Sequence, residues 1–347
     1  MNDRVDRLRA SLEEPLLVSS VANVWYLTGF SSSNAAVFVE LDRLRVFSDF
    51  RYSSAGKALE REGIEFVEGN RNLFVTLAEM IEGRIGFEDM AVTYAEYRTL
   101  AEGGLDLVPR RGLVEALRAV KDEDELDAIR AGGRATSEAL ERFAEERFIG
   151  RTEREVAWRL EQLFHEQGAK GPAFEIIVAS GPNSALPHHR AGDRVIGPGE
   201  TIVVDAAAAA DGYSSDCTRT FATGALPERL QEIYAVTHQA QQAGLEAVRA
   251  GTTGIDADAA ARALIEEAGF GEWFGHGLGH GLGIEVHEAP RLSQTSEDTL
   301  AAGNVVTVEP GIYLPGEGGV RIEDLVVVGE EGPEILTSFT KELVTVG

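Results

Sequence analysis

PGETIVVDA, residues 198–206, and AGNVVTVEP, residues 302–310, each carry a glycine six positions before an acid that closes an apolar run. The pairs are Gly199 with Asp205 and Gly303 with Glu309. Short β-branched runs bounded by glycine or proline read as buried strands. What surrounds the two strands also occurs twice. Helical patterns at about 122–146 and 152–168, the second opened by the capping box Thr152-x-x-Glu155, precede FEIIVAS, TIVVDAAA and YSSDCTRTF. Helical patterns at about 227–250 and 255–268 precede a histidine-rich stretch, VVTVEPGIY and GVRIEDLVVV. A histidine segment leads into each acid strand, His188-His189 in the first half and His287 in the second. Two equivalent halves would bring both strand ends together around a pseudo-twofold axis; a chance likeness of two strands is the alternative.

Turn chemistry then places further acids. Asp211-Gly212 is a two-residue hairpin signal, and such a turn sets Asp216 opposite Ala207, on the face that Asp205 also occupies. The two carboxylates become diagonal neighbours roughly 7–8 Å apart at the backbone. In IYLPGEGG, Glu309 and Glu323 are symmetric about Gly316, so a hairpin there sets them opposite each other. Any one of these acids, in a chain with 58 of them, reads better as an exposed loop carboxylate. Four at mirrored positions read as a cluster, which would be self-repulsive and costly to desolvate unless divalent cations neutralise it.

GHGLGHGLGIEVHE, residues 275–288, holds three of the seven histidines. No GxGxxG and no GxxxxGK[ST] can be laid on it, which disfavours a phosphate-cradling loop. Alternating glycine opposes a helix at about 1 kcal/mol for each residue. On an extended chain His276 and His280 lie about 13 Å apart at 3.3 Å per residue, so one can ligate and the other cannot share its metal. The glycines then permit close approach of backbone or substrate. Four carboxylates with one imidazole form a hard, oxygen-rich set suited to a pair of ions such as Mn(II) or Co(II). Cys217 adjoins Asp216 and so points to the other face, where it reads as a buried inert thiol.

Composition narrows the classes. Acidic residues outnumber basic ones 58 to 32, for a formal charge of −26, and four of the 32 basic residues are lysines. Such a surface repels nucleic acid and anionic membrane. With so little lysine it resembles the proteins of salt-accumulating, halophilic microbes, although a GC-rich genome gives the same arginine bias. A single cysteine excludes an intramolecular disulfide and fits a reducing interior. The first twenty residues lack the apolar core of a signal peptide, and no run reaches the roughly 18 apolar residues of a membrane span. A cytoplasmic location is expected. Residues 1–121 alternate short apolar runs with helical patterns, and NVWYLTG, AAVFVELD, RLRVFSDF and RIGFED read as strands of a small α/β domain. Residues 122–347 form the second domain.

DAAAAADGYSSDCTRTF, HGLGHGLGIEVHE, VEPGIY and GGVRIEDLVVV resemble, in order and spacing, the motifs of the prolidase/aminopeptidase P/creatinase family of "pita-bread" metallopeptidases. FEIIVASGPNSALPHH matches the segment before that family's first acid. NVWYLTGF, SDFRY and LRAVKDEDELDAIR are similar to its N-terminal domain and junction, so the resemblance covers nearly the whole chain. It implies an α/β (α+β) fold, with an N-terminal creatinase-like domain and a C-terminal pseudo-twofold pita-bread domain. It implies a dinuclear centre held by Asp205, Asp216, His280, Glu309 and Glu323, with Asp216 and Glu323 bridging. Mn(II) or Co(II) would occupy it, with Zn(II) as the third candidate. His188, His276 and His287 match the family's non-ligand active-site histidines, and which of His188 and His189 faces the site stays open. Arg321 and Thr218 match positions that support the ligands, and Arg321 would also reach substrate. Ala207 departs from the family's usual glycine, implying altered strand packing with the metal retained.

The implied activity is hydrolysis of the bond preceding proline, in a dipeptide or short peptide, by a metal-bridging hydroxide. Glu309 would shuttle the proton, while His276 and His287 hold the scissile carbonyl and the proline side. Arg291 is a candidate for the carboxylate of a dipeptide or, alternatively, an exposed arginine paired to the acidic surface. Retention of all five ligand types opposes a creatinase-like or non-catalytic binding member. A metal-dependent lyase acting on a small sulfonium compound stays open, and the extra N-terminal domain disfavours a simple methionine aminopeptidase. The resemblance also implies a homodimer.

Overall fold

The alternating apolar residues of AAVFV and LRVFSD do form neighbouring strands, Ala35–Val39 and Leu44–Asp49, in a six-stranded mixed sheet. The computed structural model describes residues 3–347; Met1 and Asn2, at the head of the first expected domain, lie outside the described residues. Contacts divide the chain into two units, 1–118 and 119–347. In the first unit the sheet runs Glu65–Gly69, Leu44–Asp49, Ala35–Val39, Leu16–Val18, Arg84–Glu88, Asp106–Arg110. Its central pairs are antiparallel and its outer pairs parallel.

One expected strand there is a helix. NVWYLTG lies within the helix Val21–Thr28, which Gly29 closes in the left-handed conformation at φ 67°, its N–H bonded to the Trp25 carbonyl. Ala22, Val24, Tyr26 and Leu27 are all buried, so the run carries no periodicity that separates helix from strand. The strand beside Ala35–Val39 in the sheet is instead Leu16–Val18, which is fully buried.

The second unit repeats one arrangement. In its first half the helices Glu123–Phe143 and Glu153–Glu166 precede a sheet whose central strand, Thr201–Asp205, is antiparallel to Ile177–Ser180 and to Thr218–Ala222. In the second half, Glu228–Ala247 and Gly254–Glu267 precede a sheet in which Val305–Val308 is antiparallel to Gly279–Gly281 and to Asp324–Val327. The Thr152 capping box forms as its sequence requires, with Thr152 and Glu155 each accepting the other's backbone N–H. Each half has its own apolar core. One gathers Phe143, Phe148, Phe164, Ile202 and Phe221, and the other Ile233, Ala261, Leu278, Val306 and Val326. The halves join where the Glu323 N–H donates to the Thr218 carbonyl at 3.0 Å and the Thr220 hydroxyl donates to the Arg321 carbonyl at 2.9 Å.

Both hairpin registers follow from their turns. Asp211 and Gly212 take φ 47° and 87°, as a two-residue turn with both φ positive requires, and the ladder pairs Tyr213 with Ala210 and Thr218 with Asp205. Ala207 is fully buried, and hydrogen bonds on either side of it, Ala206 N–H to the Cys217 carbonyl and Ser215 N–H to the Ala208 carbonyl, keep the register (both 3.1 Å). The packing change expected from the missing glycine therefore does not interrupt this edge. In the second half, Gly311 pairs with Arg321 and Val308 with Asp324, which sets Glu309 and Glu323 face to face.

Candidate metal centre

The four carboxylates of the expected cluster and five imidazoles converge on one cavity of about 740 Å³ in the second unit. It is lined by Asp205, Asp216, Glu309, Glu323, His188, His189, His276, His280 and His287, among others. The registers just described explain the acids: Asp205 and Glu309 end the central strand of each half, and Asp216 and Glu323 return beside them. His280 comes from the strand Gly279–Gly281, where glycine is a steric requirement. A Cβ at Gly279 would stand 2.0 Å from the Thr307 carbonyl oxygen, and one at Gly281 would stand 2.2 Å from that of Ala289. The alternating glycines thus let neighbouring strands close on the imidazole.

Ligand atoms of Asp216, His280 and Glu323 lie within 4.8 Å of one another, a candidate metal site. His280 Nδ1 is 3.0 Å from the Gly281 carbonyl and must donate to it, so in the neutral ring Nε2 presents a lone pair. That lone pair faces Glu309 Oε1 at 3.3 Å and Asp216 Oδ2 at 4.0 Å. Burial keeps His280 below its ordinary pKa, favouring the neutral ring. Asp216 Oδ1 and Asp205 Oδ1 are buried without a hydrogen-bond partner. Buried carboxylate oxygens without a partner, beside an imidazole lone pair, are what a bound cation resolves, and the oxygen-rich set suits hard or borderline divalent ions.

The electrostatics agree. Burial, then the charges of Glu323, Asp205 and Glu309, raise Asp216 well above the ordinary range. Glu323 is raised by burial and by Glu309 and Asp205, and Glu309 by burial first. Thr218 donates its hydroxyl to Glu323 Oε2 at 2.7 Å and accepts from Arg321 Nε at 3.0 Å. Arg321, 3% exposed, also donates to Asp205 Oδ2 (2.8 Å), to the Pro187 carbonyl (3.1 Å) and to the Tyr313 hydroxyl (3.1 Å). These bonds tie it to the carboxylates of Asp205 and, through Thr218, of Glu323, while it also lines the cavity where a substrate contact was expected of it.

His276 is likewise placed differently from its expected role as a carbonyl donor. Its Nδ1 donates to the Gly277 carbonyl at 2.8 Å, and its Nε2 is 2.9 Å from the Tyr313 hydroxyl. Burial lowers its pKa, so the neutral ring accepts from Tyr313 and has no N–H left for substrate. Tyr313 was not singled out in the sequence. It lies on the hairpin between Glu309 and Glu323, two residues after Gly311, and that position was the available signal. His287 stacks beside His280, with ring centroids 4.3 Å apart. His188 and His189 separate: His189 Nε2 bonds Glu153 Oε2 at 2.8 Å, on a carboxylate that also accepts from Ser180, Asn183 and Gly192. His188, without that carboxylate, lines the cavity together with His287. Arg291 is the cross-strand neighbour of His280 and lines the cavity. Its backbone N–H bonds Asp298, but among the described residues its guanidinium forms no ion pair.

Similarity to known proteins matches this architecture. Residues 4–120 match the model of the Creatinase/Prolidase N-terminal domain, and residues 127–330 that of Metallopeptidase family M24. The chain is 40% identical to the Uncharacterized peptidase YqhT of Bacillus subtilis over 95% of each protein. The structure of an Xaa-Pro dipeptidase from Bacillus anthracis superposes with a TM-score of 0.94 at 37% identity, covering 99% of both chains. That of an X-Pro aminopeptidase from Thermotoga maritima gives 0.88 at 34% identity, covering 99% of this chain and all of the other. With its carboxylate-rich centre, its duplicated catalytic unit and a family match over more than half its length, the chain belongs to metallopeptidase family M24.

Proposed function

We propose that this protein is a dinuclear metal-dependent peptidase that hydrolyses the bond preceding proline. The observation that carries the reading is the convergence of Asp205, Asp216, His280, Glu309 and Glu323 on one cavity, with buried carboxylate oxygens that have no protein partner. These five residues would hold two divalent ions, Mn(II) or Co(II) first and Zn(II) third. Bound there, such ions activate water for attack and polarise the scissile carbonyl.

This chain's own residues supply the rest. Burial raises the proton affinity of Glu309, which makes its carboxylate a stronger base. It is the residue to take the proton of the attacking water and return it to the leaving nitrogen. His188 and His287 flank the cavity as the imidazoles for the carbonyl and the proline side, while His276 holds Tyr313. Proline's nitrogen carries no hydrogen when acylated, so recognition has to come from the ring and the groups around it.

A dipeptide is favoured over longer peptides by Arg291. Arg291 lines the cavity, and among the described residues its guanidinium has no carboxylate partner; a bidentate fork matches the carboxylate that follows proline. The names of the relatives include both dipeptidase and aminopeptidase. The test is hydrolysis of Ala-Pro and Ala-Pro-Ala side by side, with metal-stripped protein resupplied with Mn(II), Co(II) or Zn(II). Cleavage of Ala-Pro alone is expected. Cleavage of the tripeptide makes it an aminopeptidase, and cleavage of neither while two metals bind refutes the substrate assignment. Glu309→Gln should abolish turnover, and retained activity would remove Glu309 from the reaction.

A further inference from the structure

Residues 274–278, FGHGL, belong to neither helix nor strand, yet they carry His276. Two glycines in five positions give that backbone little stiffness of its own. Its fixation comes from the helix Gly254–Glu267, through two charged residues one turn apart. Asp258 and Arg262 are 1% and 7% exposed. They form a two-pronged pair, Arg262 Nε to Asp258 Oδ2 at 2.6 Å and Nη2 to Oδ1 at 2.9 Å. The same guanidinium donates to the Phe274 carbonyl at 2.9 Å and to the His276 carbonyl at 2.6 Å. Asp258 Oδ1 accepts the Leu278 N–H at 2.9 Å. Arg262 Cζ lies 4.1 Å from the centroid of the Phe274 ring, which packs perpendicular to the His276 imidazole at 5.1 Å.

Stability alone is a weak reason for burying such a pair, because well-packed apolar residues of similar size often serve as well or better. Apolar residues cannot bond the alternate backbone groups of 274, 276 and 278. The hydrogen bonds also continue inward. Arg262 fixes the His276 backbone, Tyr313 donates to His276 Nε2, Arg321 donates to Tyr313, and Arg321 holds Asp205. We propose that Asp258 and Arg262 are positioning residues for the reaction, acting through His276, a role that rests on the peptidase reading above.

Two measurements test this. The first is kcat and KM, on whichever of Ala-Pro and Ala-Pro-Ala the wild type cleaves, for R262K, H276A, the double variant, and the paired apolar replacement of Asp258→Leu with Arg262→Met. The second is amide hydrogen exchange across 275–283 in the same metal-loaded proteins, with their melting temperatures and metal content. Lysine keeps the charge opposite Asp258 but cannot reach both carbonyls. R262K should keep its metals and lose about ten- to a hundredfold in kcat, with KM little changed. On top of H276A the same substitution should cost less than about threefold, because residues acting through one another are not additive. The apolar pair, which leaves the Phe274 and His276 carbonyls and the Leu278 N–H unbonded, should melt lower but keep its metals, show the same kinetic loss, and exchange faster across 275–278.

Losses that multiply in the double variant, or an apolar pair with wild-type kcat, would overturn the proposal, as would unchanged exchange in both Arg262 variants. If the wild type cleaves neither peptide, the peptidase reading fails by itself. The exchange measurement then still decides whether the pair fixes the His276 segment.

Discussion

Replacing Asp324 with alanine probes how the metal cluster is braced from behind. Asp324 is fully buried. Its Oδ1 accepts from Arg219 Nη2 at 2.8 Å and from the Thr337 hydroxyl at 3.0 Å, and its Oδ2 accepts from Gln241 at 2.9 Å and Lys341 Nζ at 2.6 Å. Burial alone would raise this carboxyl, but Arg219 and Lys341 outweigh it and hold it below the ordinary value. The substitution leaves Arg219, 2% exposed, without its counter-charge, and breaking a buried pair this way costs about 3–5 kcal/mol. At roughly 2–4 °C per kcal/mol for a unit of this size, the melting temperature should fall by about 6–20 °C. Lys341→Ala removes a partner whose side chain is 21% exposed, and should cost only about 1–2 kcal/mol.

The sign with pH follows from the depressed pKa. Asp324's contribution is complete above the unfolded carboxylate value, near 3.9, and is lost as pH falls through the lower folded value. Wild type and D324A should therefore converge only below about pH 4. The centre should suffer too, because Arg219 also donates to the Glu323 carbonyl and Glu323 is in the cluster. Scanning calorimetry with metal analysis reads both effects. A loss below about 1 kcal/mol with full metal content would refute the reasoning.

Arg291→Ala should raise KM for the dipeptide at least tenfold while leaving the tripeptide little changed; an unchanged ratio between the two would discard Arg291 as the carboxylate ligand. Chelation should lower the melting temperature, since metal held at about 1,000 times its Kd contributes about 4 kcal/mol, and Asp216→Ala should abolish that difference. In the metal-free protein Asp216 and Glu323 hold protons that the unfolded chain releases, so its stability should fall as pH rises above about 4 and metal addition should restore it. Cys217 is fully buried, its thiol pushed up by burial, and alkylation by iodoacetamide should track unfolding; rapid labelling of the native protein would contradict the packing.

Much of the cluster was legible because it depends on local chemistry. The Asp211-Gly212 and Pro315-Gly316 turns determine their hairpin registers, and those registers alone bring Asp216 beside Asp205 and Glu323 opposite Glu309. Alternating glycine excluded a helix at His276–His280, and none forms there; Thr152 with Glu155 specified a helix start. Other features needed the tertiary structure. Most of the run at 23–28 is buried, so helix or strand depended on what Gly29 and the neighbouring strand Leu16–Val18 allowed. His188 and His189 are chemically equal neighbours, and only the buried Glu153, 36 residues away, separates them. Tyr313, Asp258 and Arg262 carry no local motif, and their roles lie in bonds to residues distant in the chain. The sequence by itself determined which acids share a face, because a turn and a two-residue period are enough for that. Where the donors point, and so which imidazole is left free to meet a substrate, was decided only when separate halves of the chain packed together.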